Sequence, residues 1–152
     1  MGEWQSFLKE AGQYLSAGRG KEGKPSRLSS DIRYNLLSLS IEKSCMAILL
    51  YHNDLADNHT FVDLLRSIAP YVQVPGEVHD ELAALEQVQS ICNLYEYHRE
   101  KPSEEVVQRL LAVAVQLSRY AEQTCSRNAG TPPVNHPDTV SGKESINRKA
   151  VS

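Results

Sequence analysis

The stretch that most constrains this chain is Ser29 to His52, SSDIRYNLLSLSIEKSCMAILLYH. It contains no Gly and no Pro, and its one adjacent pair of charges is Glu42-Lys43. At helical spacing, Ile32, Leu36, Leu39, Met46 and Leu50 fall along one side, and Leu37, Ile41, Ile48 and Tyr51 along another. A helix that is apolar nearly all round must be wrapped by neighbours. The rest of the sequence therefore has to supply helices that enclose this one.

It has four further segments with a helical period. Trp4, Phe7, Leu8, Ala11, Tyr14 and Leu15 predict a helix over Glu3–Ala17, stopped by Gly18 and Gly20. The loop after it, GRGKEGKPSR, is the most basic short stretch of the folded part, through Arg19, Lys21, Lys24 and Arg27. It reads either as a solvated loop or as an arm that touches phosphate or an acidic partner. Ser29 or Ser30 is placed to cap the long helix, and Asp31 suits its positive end. A short helix is expected over Thr60–Ala69, with Thr60 as its cap, Phe61, Leu64, Leu65 and Ile68 as its buried stripe, and Pro70 as its stop. Val72 and Val74 alternate, but two residues do not make a strand.

The fourth predicted helix runs from Glu77 to Tyr97. Val78, Leu82, Leu85, Val88, Cys92 and Tyr95 lie on one face, widened by Ala84, Ile91 and Leu94. The fifth runs from Ser103 to Thr124. Its stripe is Val106, Leu110, Val113, Leu117 and Tyr120, and its flank of smaller residues is Val107, Leu111, Ala114 and Ala121. The expected fold is all-α: an up-and-down bundle of four long helices and one short helix, occupying residues 1–125. Residues 126–152 have paired prolines and almost no apolar content, so they are expected to form a disordered tail.

Charge follows the same division. The tail has four bases against two acids, a net +2 that leaves −5 of the total −3 on the folded body. An acidic body is a poor footprint for non-specific duplex binding. Cys45, Cys92 and Cys125 are odd in number and far apart, as in a chain kept in a reducing compartment. With no apolar run long enough to span a bilayer and no leader pattern, a cytoplasmic location without membrane attachment is expected.

Several residues could carry chemistry. His98, Arg99 and Lys101 meet at a predicted helix exit beside Tyr95 and Tyr97. Arg offers fixed bidentate donors and His titrates near neutrality, so His98 and Arg99 are the candidate catalytic pair. The plainer reading is that these cations complement the helix dipole. Tyr97 is a candidate for stacking on a base. Glu42 and Lys43 could point into a groove or across a dimer seam, or form a surface ion pair on the wet edge of the helix. His52 and His59 frame HNDLADNH, whose spacing matches no standard zinc or calcium loop; no metal or cofactor is expected.

Three segments together resemble the HEPN domain family: IEKSCMAILLYHN from Ile41, HTFVDLLRSI from His59, and LYEYHREKPSEEVVQRLLAVAVQLSRYAEQ from Leu94. The similarity covers roughly residues 29–123 and is carried best by Glu42-Lys43 and the His59 turn. It implies an all-α bundle that often dimerises and is frequently partnered with small nucleotidyltransferases in toxin–antitoxin pairs. Many members are metal-independent ribonucleases with an Arg followed, after four to six residues, by a His. Here Arg99 is followed at those positions by Glu104, Glu105 and Val106, and His98 precedes the Arg. The resemblance thus implies a non-catalytic binding module, a homodimer with a nucleotidyltransferase partner and an RNA or nucleotide ligand; the chemistry of the residues offers Glu42, Lys43, Tyr97, Arg99 and Lys101 as its candidate binding residues. The alternatives are a ribonuclease with an altered Arg/His site and a plain structural bundle.

Overall fold

The structure is a computed structural model. It describes residues 2–21, 23–24, 26–94 and 102–126, and only the backbone of residues 88–94. Five helices form it: α1 (Glu3–Arg19), α2 (Ser30–Tyr51), α3 (Phe61–Ile68), α4 (Gly76–Leu94) and α5 (Glu104–Ser126). Among the described residues there is no strand, and the fold is all-α, as expected. No helix among them is long and apolar enough to cross a membrane.

The long apolar helix is the centre. Leu37, Ile41, Cys45, Ala47, Ile48 and Leu49 of α2 are fully buried. α1, α3 and α5 all pack against α2. Each buried Leu or Ile contributes about 1.5–3 kcal/mol relative to exposure, so this enclosure dominates the stability of the fold.

α1 lies antiparallel to α2. The side-chain contacts run down the pair in opposite order, from Gly18 with Arg33, through Ala11 with Ser40 and Glu10 with Lys43, to Trp4 with Tyr51. The two backbones come close because the facing residues are small. Ala11 is buried, and the Ser40 hydroxyl donates to its carbonyl at 2.8 Å. Gly18 is buried against Leu37 and Leu36. Gly18 is therefore a packing residue inside α1, not its stop. The stop is Gly20, whose φ of 74° lies in the left-handed region that favours glycine.

α5 runs parallel to α2: Glu104 at its start meets Arg33 near the start of α2, and the Cys125 thiol near its end points to the Ala47 carbonyl. Its buried seam is Val107, Leu110, Val113, Ala114, Leu117, Ser118, Ala121 and Cys125. This corrects the sequence reading in part. Leu110, Val113 and Leu117 of the expected stripe are buried, but Val107, Ala114 and Ala121 of the flank are buried beside them, while Val106, Leu111 and Tyr120 sit half-buried at the rim. The small residues let α5 approach α2, as a narrow helix face should.

Other expectations shift less. On α2, Ile32 is exposed rather than part of a core face, and Leu50 and Tyr51 are half-buried. Ser29 does occupy the cap position, but its side chain makes no capping hydrogen bond. On α4, Val78, Leu82 and Leu85 are buried as expected, while Ala84 is exposed. α3 matches throughout: Thr60 accepts from the Asp63 amide, and Phe61, Leu64, Leu65 and Ile68 are its buried residues.

Candidate functional site

Polar and charged residues on α2 and at its end organise three places on the surface, and one of them is a cleft. Arg33 is the fourth residue after the α2 cap, yet its side chain is only 7% exposed. A cation near a helix N-terminus faces the wrong end of the dipole, so its charge must be met by other elements. Two do so. Its Nε donates to the Gly18 carbonyl at 3.2 Å, one of the last carbonyls of α1, which lacks an intrahelical partner. Its Nη1 donates to Glu104 Oε1 at 2.6 Å, at the first residue of α5. Arg33 thus ties together the end of α1, the start of α2 and the start of α5.

Beyond that guanidinium opens a cleft of about 720 Å³. One wall is the α1–α2 loop, with Arg19, Lys21 and Lys24 around Gly20, Gly23 and Ser26. The loop turns tightly: the Lys24 amide donates to the Lys21 carbonyl at 3.3 Å, and Gly23 has a φ of 76°. The opposite wall is the start of α5, with Glu104, Gln108 and Leu111. Among the described residues, four cations and one carboxylate line this space. Hydrogen bonds from Arg33, then from Gln108, hold the Glu104 carboxyl below its ordinary range. Glu104 is itself 63% exposed, so it meets Arg33 from the solvent side.

The basic loop was visible in the sequence, but Arg27 is exposed and does not line the cleft. Arg33 was missed. The available signal was its place one helical turn before Leu37 on the stripe that continues to Ile41, Ser44 and Ile48, where a charge needs buried partners.

Glu42 and Lys43 do not pair with each other. Lys43 Nζ reaches Glu10 at 2.8 Å and lies 4.4 Å from the Phe7 ring centroid, so it clamps α1. Glu42 meets His59 Nδ1 at 2.7 Å, so it fastens the segment before α3. His59 thus bonds to the central helix, while Thr60 caps α3. Both residues of the pair are half-buried edge groups between elements of one chain.

A third cluster closes the other end of α2. The His52 ring stacks on Tyr71 at 4.1 Å between centroids and 7° between planes. The Tyr71 hydroxyl donates to Asp54 Oδ2 at 2.7 Å. Tyr51 sits edge-on to both His52 and Trp4. His52 Nε2 is buried without a hydrogen-bond partner, and desolvation, only partly offset by Asp54, lowers the pKa of the ring. No three His, Cys, Asp or Glu among the described residues stand close enough to hold a metal ion. Tyr95, Tyr97, His98, Arg99 and Lys101 lie outside the described residues. Comparison with protein-family models, with curated proteins and with solved structures gives no match.

Proposed function

We propose that the chain is a non-catalytic helical binding module, HEPN-like in kind, that receives an anionic partner in the cleft between the α1–α2 loop and the start of α5. One observation carries this reading: the buried Arg33 at the base of a space rimmed by Arg19, Lys21 and Lys24. A protein with a folded body of net −5 has no general attraction for anions. Concentrating four cations on one concave surface makes a local site instead, since clefts focus the field of the charges that line them. Arg suits the innermost place because it stays charged when buried and offers several fixed donors.

Two observations support the HEPN-like part of the reading. The helix order is the one that the resemblance implies. The Glu42–His59 contact joins the two segments on which that resemblance chiefly rests. The reading also includes self-association and a protein partner such as a nucleotidyltransferase, for which light scattering at micromolar concentration and co-purification are the measurements.

The site itself is tested by amide chemical shifts. The protein, labelled with nitrogen-15, is titrated at low ionic strength with phosphate and with a dicarboxylate. Shifts confined to residues 19–24, 33 and 104–111 support the reading. No shift at millimolar anion, or shifts spread evenly over the surface, would sink it.

A further inference from the structure

Resting on the reading of the cleft as an anion site, we infer that its ligand is a small phosphomonoester, and that Glu104 occupies the position of a phosphate oxygen until the ligand displaces it. Arg33 is fixed from behind, because its Nε is spent on the Gly18 carbonyl. The forward edge of the guanidinium is therefore presented in one direction only. Glu104 Oε1, at 2.6 Å, marks where an acceptor oxygen sits in front of it.

Glu104 is a displaceable occupant. It is 63% exposed, and its one other described hold is Gln108 Nε2 at 3.1 Å. An exposed carboxylate loses little by turning into water, because surface pairs are weak and water solvates the freed charge. An incoming oxyanion keeps Arg33 paired throughout the exchange, so no buried charge is stranded.

Charge favours phosphate over carboxylate. With Glu104 turned away, Arg19, Lys21, Lys24 and Arg33 present four positive charges. One carboxylate neutralises a quarter of that. A phosphomonoester carries about −1.5 to −2 at neutral pH and has three acceptor oxygens, which the guanidinium and the two lysines can share. The space of about 720 Å³ exceeds what a phosphate fills and is in the range of small-molecule sites. Leu111 gives it an apolar wall for the organic part of the ligand.

Calorimetric titrations at low ionic strength, in a buffer free of phosphate, test this with four probes: inorganic phosphate, adenosine monophosphate, acetate and a 5′-phosphorylated RNA oligonucleotide. Wild type should bind the monophosphate more tightly than inorganic phosphate, and acetate not measurably. Glu104→Gln should tighten binding of the monophosphate about threefold to tenfold, because the competing charge is gone while the side chain keeps its shape. Lys21→Gln with Lys24→Gln, on an exposed loop that leaves the core untouched, should weaken it about as much. Unchanged affinity in Glu104→Gln, with the cleft amides still shifting, would overturn the displacement and leave the anion-site reading standing. Equal binding of acetate would overturn the phosphate class, and binding of the oligonucleotide alone would overturn the small-molecule class. No binding of any probe, together with no amide shifts, would overturn both readings.

Discussion

Gly18 is the position where a single methyl group should report most clearly on the packing of α1 against α2. A Cβ built there would lie 2.8 Å from Leu37 Cδ2, 2.9 Å from Leu37 Cγ and 3.4 Å from Leu36 Cβ. Leu37 is fully buried, so its side chain has no empty space to turn into. Overpacking of this kind costs about 1–3 kcal/mol. Against it stands the helix propensity of Ala over Gly, up to about 1 kcal/mol and less near a helix end. Gly18→Ala should therefore destabilise the protein by about 1–2 kcal/mol. In a Leu37→Ala background the clashing atoms are gone. That variant alone should cost about 2–5 kcal/mol through its cavity, and the same Gly18→Ala change should then be neutral or stabilising by up to about 1 kcal/mol. The double-mutant cycle, measured by urea unfolding followed by circular dichroism, should give a coupling of about 1–3 kcal/mol. Independent sites add to within about 0.3–0.5 kcal/mol. If Gly18→Ala costs the same in both backgrounds, the close approach of the two helices is not where the described geometry puts it.

Two further outcomes concern titratable groups. The folded state lowers the pKa of His52 below its ordinary 6.5, so the native protein binds fewer protons than the unfolded chain as pH falls through that value. Stability should decline from about pH 6.5 downward, before the depressed carboxyls of Asp54, Glu81 and Glu104 begin to lose their contribution, below their unfolded values near pH 4. His52→Phe, which keeps the stack on Tyr71, should flatten the pH 5–6.5 part of the profile in thermal unfolding; an unchanged slope would refute the assignment. Burial pushes the Cys45 thiol up to about 12 and the Cys125 thiol up to about 11. Since only the thiolate reacts, iodoacetamide at pH 8 should label both at least ~100-fold more slowly in the native protein than in urea, read by mass spectrometry of the two peptides.

The parts of the fold legible in the sequence are those where a single stripe left no choice. α3 has four apolar residues on one side, charges on the other and a threonine before it, and it came out as expected from cap to core. α2 carries apolar residues on almost every side, and α5 has a broad apolar face. Periodicity then establishes that they are helices, but not which residues face which neighbour: on α5 Leu110, Val113 and Leu117 are buried as expected, while Val107, Ala114 and Ala121 take the places expected for Val106 and Tyr120. That choice depends on how closely α2 can approach, which is a property of both helices together. The site divides in the same way. The basic loop was visible because its charges are neighbours in sequence. Arg33 was not, because its partners lie 15 and 71 residues away. Glu42 and Lys43 stood out as a pair of charges in an apolar run, yet their partners come from different directions.

The parallel placement of α5 against α2 also sets an order of assembly. The hairpin of α1 and α2 closes a short loop and can form early and cheaply. The contacts of α5 span 71 residues at one end of α2 and 78 at the other, and the entropy of closing such loops must be met before any of their burial is gained. During synthesis, which proceeds from the N-terminus, α2 emerges with α1 beside it and its other side bare. The Gly18 carbonyl and the Arg33 side chain are in place at that stage, but the carboxylate that completes their cluster arrives with α5. The cleft is thus complete only once α5 has been made, and a ligand held there would favour chains that contain α5 over those that stop before it.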